Sequence, residues 1–105
     1  IIFWPTMYAE PREKLNNIIM KARAVENAIF IVSSNYSQPC RDSRGIHIGG
    51  SAVVDPYGEI LASTGRRQGV ATATINLDEE RPSYGYRSLM EARRVDTFRD
   101  ILDRH

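Results

Sequence analysis

Apolar residues in the first third of the chain fall into two unbroken runs with a spaced set between them. Ile1-Ile2-Phe3-Trp4 is apolar throughout and stops at Pro5, the pattern of a strand buried on both faces. Glu10-Pro11 then offers a helix start with Pro in the first turn, and Leu15, Ile18, Ile19, Ala22 and Val25 recur at helical spacing. That spacing predicts a helix with those residues on its buried face. Ala28-Ile29-Phe30-Ile31-Val32 is the second run, rich in β-branched residues and closed by Ser33-Ser34-Asn35. Strand, helix and strand at this spacing predict a parallel pair joined by a right-handed crossover.

Polar residues dominate from 36 to 44, where Pro39 and two Arg read as a loop. A strand signal returns over residues 47–54, and Asp55-Pro56-Tyr57-Gly58 places Pro and Gly where a type I turn wants them. Residues 59–62 then run back antiparallel. A second Gly-bounded turn over 65–69 leads to a third strand over 70–75, completing a three-stranded meander. Beyond Asn76 the pattern gives way to a charged, Arg-rich tail from about residue 77, with short helices expected at 88–94 and near the terminus. The expectation is a single α/β unit over residues 1–105, a βαβ unit followed by the meander and the tail.

Composition narrows the function classes. A chain of 105 residues with 42% hydrophobic and 26% charged positions has the balance of a soluble globular domain. No apolar run approaches the ~18 residues of a membrane span, and no secretory-signal pattern is present, so no membrane contact is expected. Fourteen basic residues against thirteen acidic ones leave a net charge of +1, which excludes a strong overall field toward nucleic acid. Arg66-Arg67, and Arg93-Arg94 near Tyr84 and Tyr86, accordingly read as exposed or paired charge. A single cysteine, Cys40, cannot form an internal disulfide and fits a reducing, cytoplasmic setting.

Candidate chemistry is sparse. Arg41, Arg44 and His47 could in principle activate Cys40, but a nucleophile needs a rigid element and an oriented base, and this thiol lies in a polar loop. Gly49-Gly50-Ser51 is not a phosphate loop, since no Lys follows and a strand does. The Gly pair instead marks a bulge or a close backbone approach, with Ser51 placed to tie down a neighbouring loop. His47 and His105 are far apart, without Cys or carboxylate at ligand spacing, so no metal site is expected.

The order of segments carries more than any one of them. Lys21-Ala22-Arg23-Ala24-Val25-Glu26-Asn27, the strand ending at Asn35, and Gly49-Gly50-Ser51-Ala52-Val53-Val54-Asp55-Pro56-Tyr57-Gly58-Glu59-Ile60-Leu61-Ala62 together resemble the C-terminal portion of a nitrilase-superfamily carbon–nitrogen hydrolase. Ala73-Thr74-Ile75-Asn76-Leu77 is similar to that family's last strand, where Asp is more usual than Asn76, and Arg81, Arg87 and Arg93-Arg94 to its tail.

The resemblance implies a four-layer αββα sandwich, a homo-oligomer, and hydrolysis of a small amide, carbamoyl or nitrile substrate without metal or organic cofactor. The family's chemistry uses a Cys nucleophile, a Lys and a Glu. In the family pattern all three lie upstream of Ile1, and neither Cys40 nor Lys14 nor Lys21 matches them, so no catalytic residue is assigned here. The resemblance places Thr6, with Met7 and Tyr8, and Asn35 at strand ends that line the substrate pocket; the alternative is that Thr6 and Asn35 simply cap those strand ends. Arg23, Glu26 and Asn27 read as scaffold. The isolated chain is expected to be inactive and to associate or dissolve poorly. The alternative is a non-catalytic binding or oligomerisation module of the same fold.

Overall fold

The computed structural model describes residues 1–9, 13–37, 41–42, 45–46, 49–78, 91–94 and 96. Chain order is β1 (Ile2–Thr6), α1 (Glu13–Asn27), β2 (Ile31–Asn35), β3 (Arg41–Asp42), β4 (Gly45–Ile46), β5 (Ala52–Val54) and β6 (Ile60–Ser63). Four strands form one sheet in the order β1-β2-β5-β6. The β1/β2 pair is parallel, with Ile2 opposite Ile31 and Thr6 opposite Asn35, as the crossover pattern requires. β5 then returns antiparallel to β2, and β6 antiparallel to β5.

Because strand side chains alternate between faces, Ile31, Ser33 and Asn35 of β2 point to one side and all three are buried. The core is small: Met20 and Ala24 of α1 pack with Ile31, Ala52 and Val54, flanked by Trp4 and Ile29. The helix is therefore turned differently from the sequence expectation. Its buried stripe is Asn16, Met20 and Ala24, spaced by four, whereas Leu15 and Ile18 are 53% and 63% exposed. Ala22 is also exposed, while Ile19 and Val25 are half-buried at the edges. The helix is apolar on two nearly opposite sides, and hydrophobic spacing alone selected the wrong one.

The helix ends at Ala28, which is buried and has a φ of 49°. The Ile29 N–H bonds the Ala24 carbonyl at 3.1 Å and the Ala28 N–H bonds that of Val25 at 3.2 Å, the pairing of a Schellman motif. Arg23 and Glu26 form an exposed ion pair, and the Asn27 amide donates to the Arg23 carbonyl at 2.9 Å, consistent with a scaffold role.

Two strands differ from expectation. Strand structure within 47–54 is confined to Ala52–Val54 among the described residues, because Gly49 and Gly50 have φ of 74° and 77°, outside any ladder geometry. The third meander strand is absent: residues 70–75 keep a period-two alternation of half-buried and exposed side chains but pair with no strand among the described residues. Alternation reports burial on one side, and a strand also needs a partner edge. The expected loop at 36–44 contains β3, paired antiparallel with β4. The turn at 55–58 forms as expected, closed by the Gly58 N–H on the Asp55 carbonyl at 3.0 Å. Cys40, His47, His105, Tyr84, Tyr86, Arg81 and Arg87, and most of the expected tail helices, lie outside the described residues.

Candidate functional site

The parallel strands β1 and β2 finish side by side, and in sheets of this kind ligands bind beyond the strand carboxyl ends. Here those ends are polar. The Asn35 side chain, 7% exposed, accepts from the Thr6 hydroxyl at 3.1 Å and from the Tyr8 N–H at 2.8 Å. Its amide nitrogen donates to the Tyr8 carbonyl at 3.2 Å and to the Gly49 carbonyl. Both lone pairs and both amide hydrogens are thus occupied. Ser51 completes the arrangement, its hydroxyl accepting from the Asn35 N–H at 3.0 Å.

Gly49 and Gly50 bring a second turn against this cluster. The Gly50 N–H bonds the Gly65 carbonyl at 2.7 Å, and the Thr64 N–H bonds that of Ser51 at 3.0 Å. A Cβ on Gly49 would stand 3.1 Å from the Gly65 carbonyl oxygen and 3.2 Å from Ser37, so the close approach requires glycine as well as the positive φ. The result is a cavity of about 510 Å³ floored by Thr6, Asn35 and Ser51 and walled by Met7, Tyr36, Ser37, Thr64, Arg67 and Gln68. That volume is within the range of small-molecule sites.

Of the residues singled out from sequence, Thr6, Met7 and Asn35 line the cavity. Tyr8 is held beside it through its backbone bonds to Asn35 and contributes no lining surface. Arg67 and Gln68 were not anticipated. Their signal was the Gly-bounded turn itself, which sequence reading treated only as a connection. Two further clefts lie away from the carboxyl ends of the parallel strands β1 and β2. One, of about 530 Å³, is an apolar groove along the β1 edge, lined by Ile2, Trp4, Ile29 and Ile31 with Arg23 and Asn27. The other, about 320 Å³, lies at the opposite end of the sheet beside Asp55, Tyr57 and residues 74–77. Among the described residues no group of three His, Cys, Asp or Glu could hold a metal ion. No described helix is long and apolar enough to cross a membrane.

Comparison with known proteins gives one consistent answer. The family profile "Carbon-nitrogen hydrolase" matches residues 5–83. The chain is similar to 2-oxoglutaramate amidase of Bacillus subtilis, with 32% identity over 79 residues covering 75% of this chain and 30% of that protein. It is similar to deaminated glutathione amidase of Synechocystis, with 34% identity over 61 residues covering 58% of this chain and 22% of that protein. Among solved structures, the amidase of Nesterenkonia sp. AN1 superposes with a TM-score of 0.68 at 27% identity, over 94% of this chain and 35% of that one. A variant of the same amidase, with acrylamide added to its active-site cysteine, superposes equally well at 26% identity. The chain thus spans about a third or less of the length of these relatives. With a matching profile over most of its length and a mixed sheet that superposes on amidases, this chain belongs to the carbon–nitrogen hydrolase family.

Proposed function

We propose that this chain is the C-terminal portion of a nitrilase-type amidohydrolase, supplying part of the substrate pocket while a Cys, a Lys and a Glu come from polypeptide outside it. The observation that carries this reading is the polar cavity beyond Thr6 and Asn35, found within the segment that matches the family. In the proposed reaction the Cys thiolate attacks the amide carbon, and the Lys holds the negative charge that develops on its oxygen. The Glu passes a proton to the departing amine, leaving a thioester. Water, deprotonated by the same Glu, then attacks the thioester and releases the acid and the thiol.

In this division of work Thr6 and Met7 contact the substrate. Asn35 and the Tyr8 backbone hold Thr6 in place rather than touching substrate themselves, since the Asn35 amide is fully occupied. Cys40 takes no part. The chain alone is inactive, works in a reducing compartment, and forms part of a four-layer sandwich within a homo-oligomer. The two apolar sides of α1 and the sheet face away from it support that arrangement.

The test is the complete gene product containing residues 1–105, assayed for ammonia release from small aliphatic amides before and after iodoacetamide. The proposal expects hydrolysis that alkylation abolishes. A complete product that lacks the Cys, Lys and Glu, or that is inert toward amides, supports a binding module of the same fold instead.

A further inference from the structure

The cavity beyond Thr6 and Asn35 has an electrical character that the hydrolase reading does not require. Among the described residues that line it none is acidic, and Arg67 is the one cation. Arg67 is exposed, lines the cavity, and has no ion-pair partner among the described residues. A guanidinium without a carboxylate partner, beside a cleft of neutral hydroxyls and amides, favours an anion that enters that cleft.

The turn that carries Arg67 is also fixed to the site. Gly50 and Ser51 hold Gly65 and Thr64 by the backbone bonds at 2.7 and 3.0 Å, and the Gly65 N–H bonds the Ser63 hydroxyl at 3.0 Å. The glycine contact at Gly49 keeps this turn close to Ser37 and to the loop that follows Asn35. The base of the Arg67 turn is thus set by the same backbone that shapes the cavity. Gln68 beside it adds neutral amide hydrogens to the same wall.

We propose that Arg67 is a specificity-determining residue that binds a carboxylate on the substrate, so that the site takes small amides bearing a second, anionic end. This rests on the amidohydrolase reading for the reacting end and on the charge of the cavity for the other. Arginine suits the role because its planar fork meets both carboxylate oxygens, which lysine cannot do.

The experiment is calorimetric titration of the complete gene product with glutarate and, separately, with glutardiamide, on wild type, Arg67→Gln and Arg67→Lys. Arg67 is exposed, and unchanged circular dichroism verifies that each variant is folded. The expected result is glutarate binding that weakens at least tenfold in Arg67→Gln and by a smaller factor in Arg67→Lys, with glutardiamide affinity the same in all three. Equal glutarate binding by wild type and Arg67→Gln, or no glutarate binding by wild type, overturns the proposal. Ammonia release is scored independently with neutral amides and with glutaramate, the monoamide of glutarate: its absence with both removes the hydrolase reading, whereas its presence with no effect of Arg67→Gln on glutarate removes only the role of Arg67.

Discussion

Asn35 is the residue on which the pocket end of the sheet depends. Replacing it with Leu keeps the volume but strips partners from the Thr6 hydroxyl, the Tyr8 N–H and carbonyl and the Gly49 carbonyl. Buried polar groups left without partners cost about 1–3 kcal/mol each, with incomplete additivity. Urea unfolding of Asn35→Leu should therefore show a loss of about 3 kcal/mol, and a loss below about 0.5 kcal/mol would mean that water replaces the network. Thr6 and Asn35 were legible in the sequence as the last residues of two strands. The bond between them was not, because it joins positions 29 apart and exists only once the strands pair in parallel register. Arg67 was illegible for a related reason: only the Gly50 to Gly65 contact reveals that its turn reaches the site.

The helix and the hairpin meet at Gly58. With a φ of 83°, this residue is in a conformation that costs other amino acids about 1 kcal/mol, and a Cβ there would stand 2.9 Å from a γ-methyl of Val25. Gly58→Ala is expected to lower stability by about 2 kcal/mol, strain and overlap together. In a Val25→Ala background the same substitution should cost about 1 kcal/mol, since the overlap is gone and the backbone strain remains. Equal penalties in the two backgrounds would show that the helix yields without cost. At this scale the parallel pair, the helix and the Asp55 to Gly58 turn follow from pattern, because each is specified by neighbours in sequence. The orientation of α1 does not. Two apolar stripes compete, and the choice of Asn16, Met20 and Ala24 is made by the sheet. Asn16 even brings a buried side-chain oxygen without a hydrogen-bond partner, the opposite of what hydrophobic spacing selects.

For the molecule as a whole, the sheet and α1 make a thin body. Its radius of gyration is 17.0 Å, against about 13 Å for a compact chain of this length, and its thinnest extent is 17 Å. On the sheet face away from α1, register brings Phe3, Val32, Val53 and Ala62 into one row across the four strands. Phe3 is 72% exposed and Val32 and Ala62 only half-buried, so this apolar row is covered only in part. Leu15 and Ile18 add a second uncovered patch on the outer side of the helix. Isolated residues 1–105 should therefore self-associate in sedimentation velocity at micromolar concentration, and Phe3→Lys combined with Ile18→Glu should shift the distribution toward monomer. A compact monomer of the unaltered chain would show that these faces need no partner.

The central claim is that the reacting thiol belongs to polypeptide outside these residues. Its most direct test is to quench the complete gene product during turnover of a small amide and locate the acyl group by peptide mass spectrometry. The account predicts a thioester on a cysteine outside residues 1–105, with Cys40 unmodified and Cys40→Ala fully active. An acyl group on Cys40, or loss of activity in folded Cys40→Ala, would contradict it.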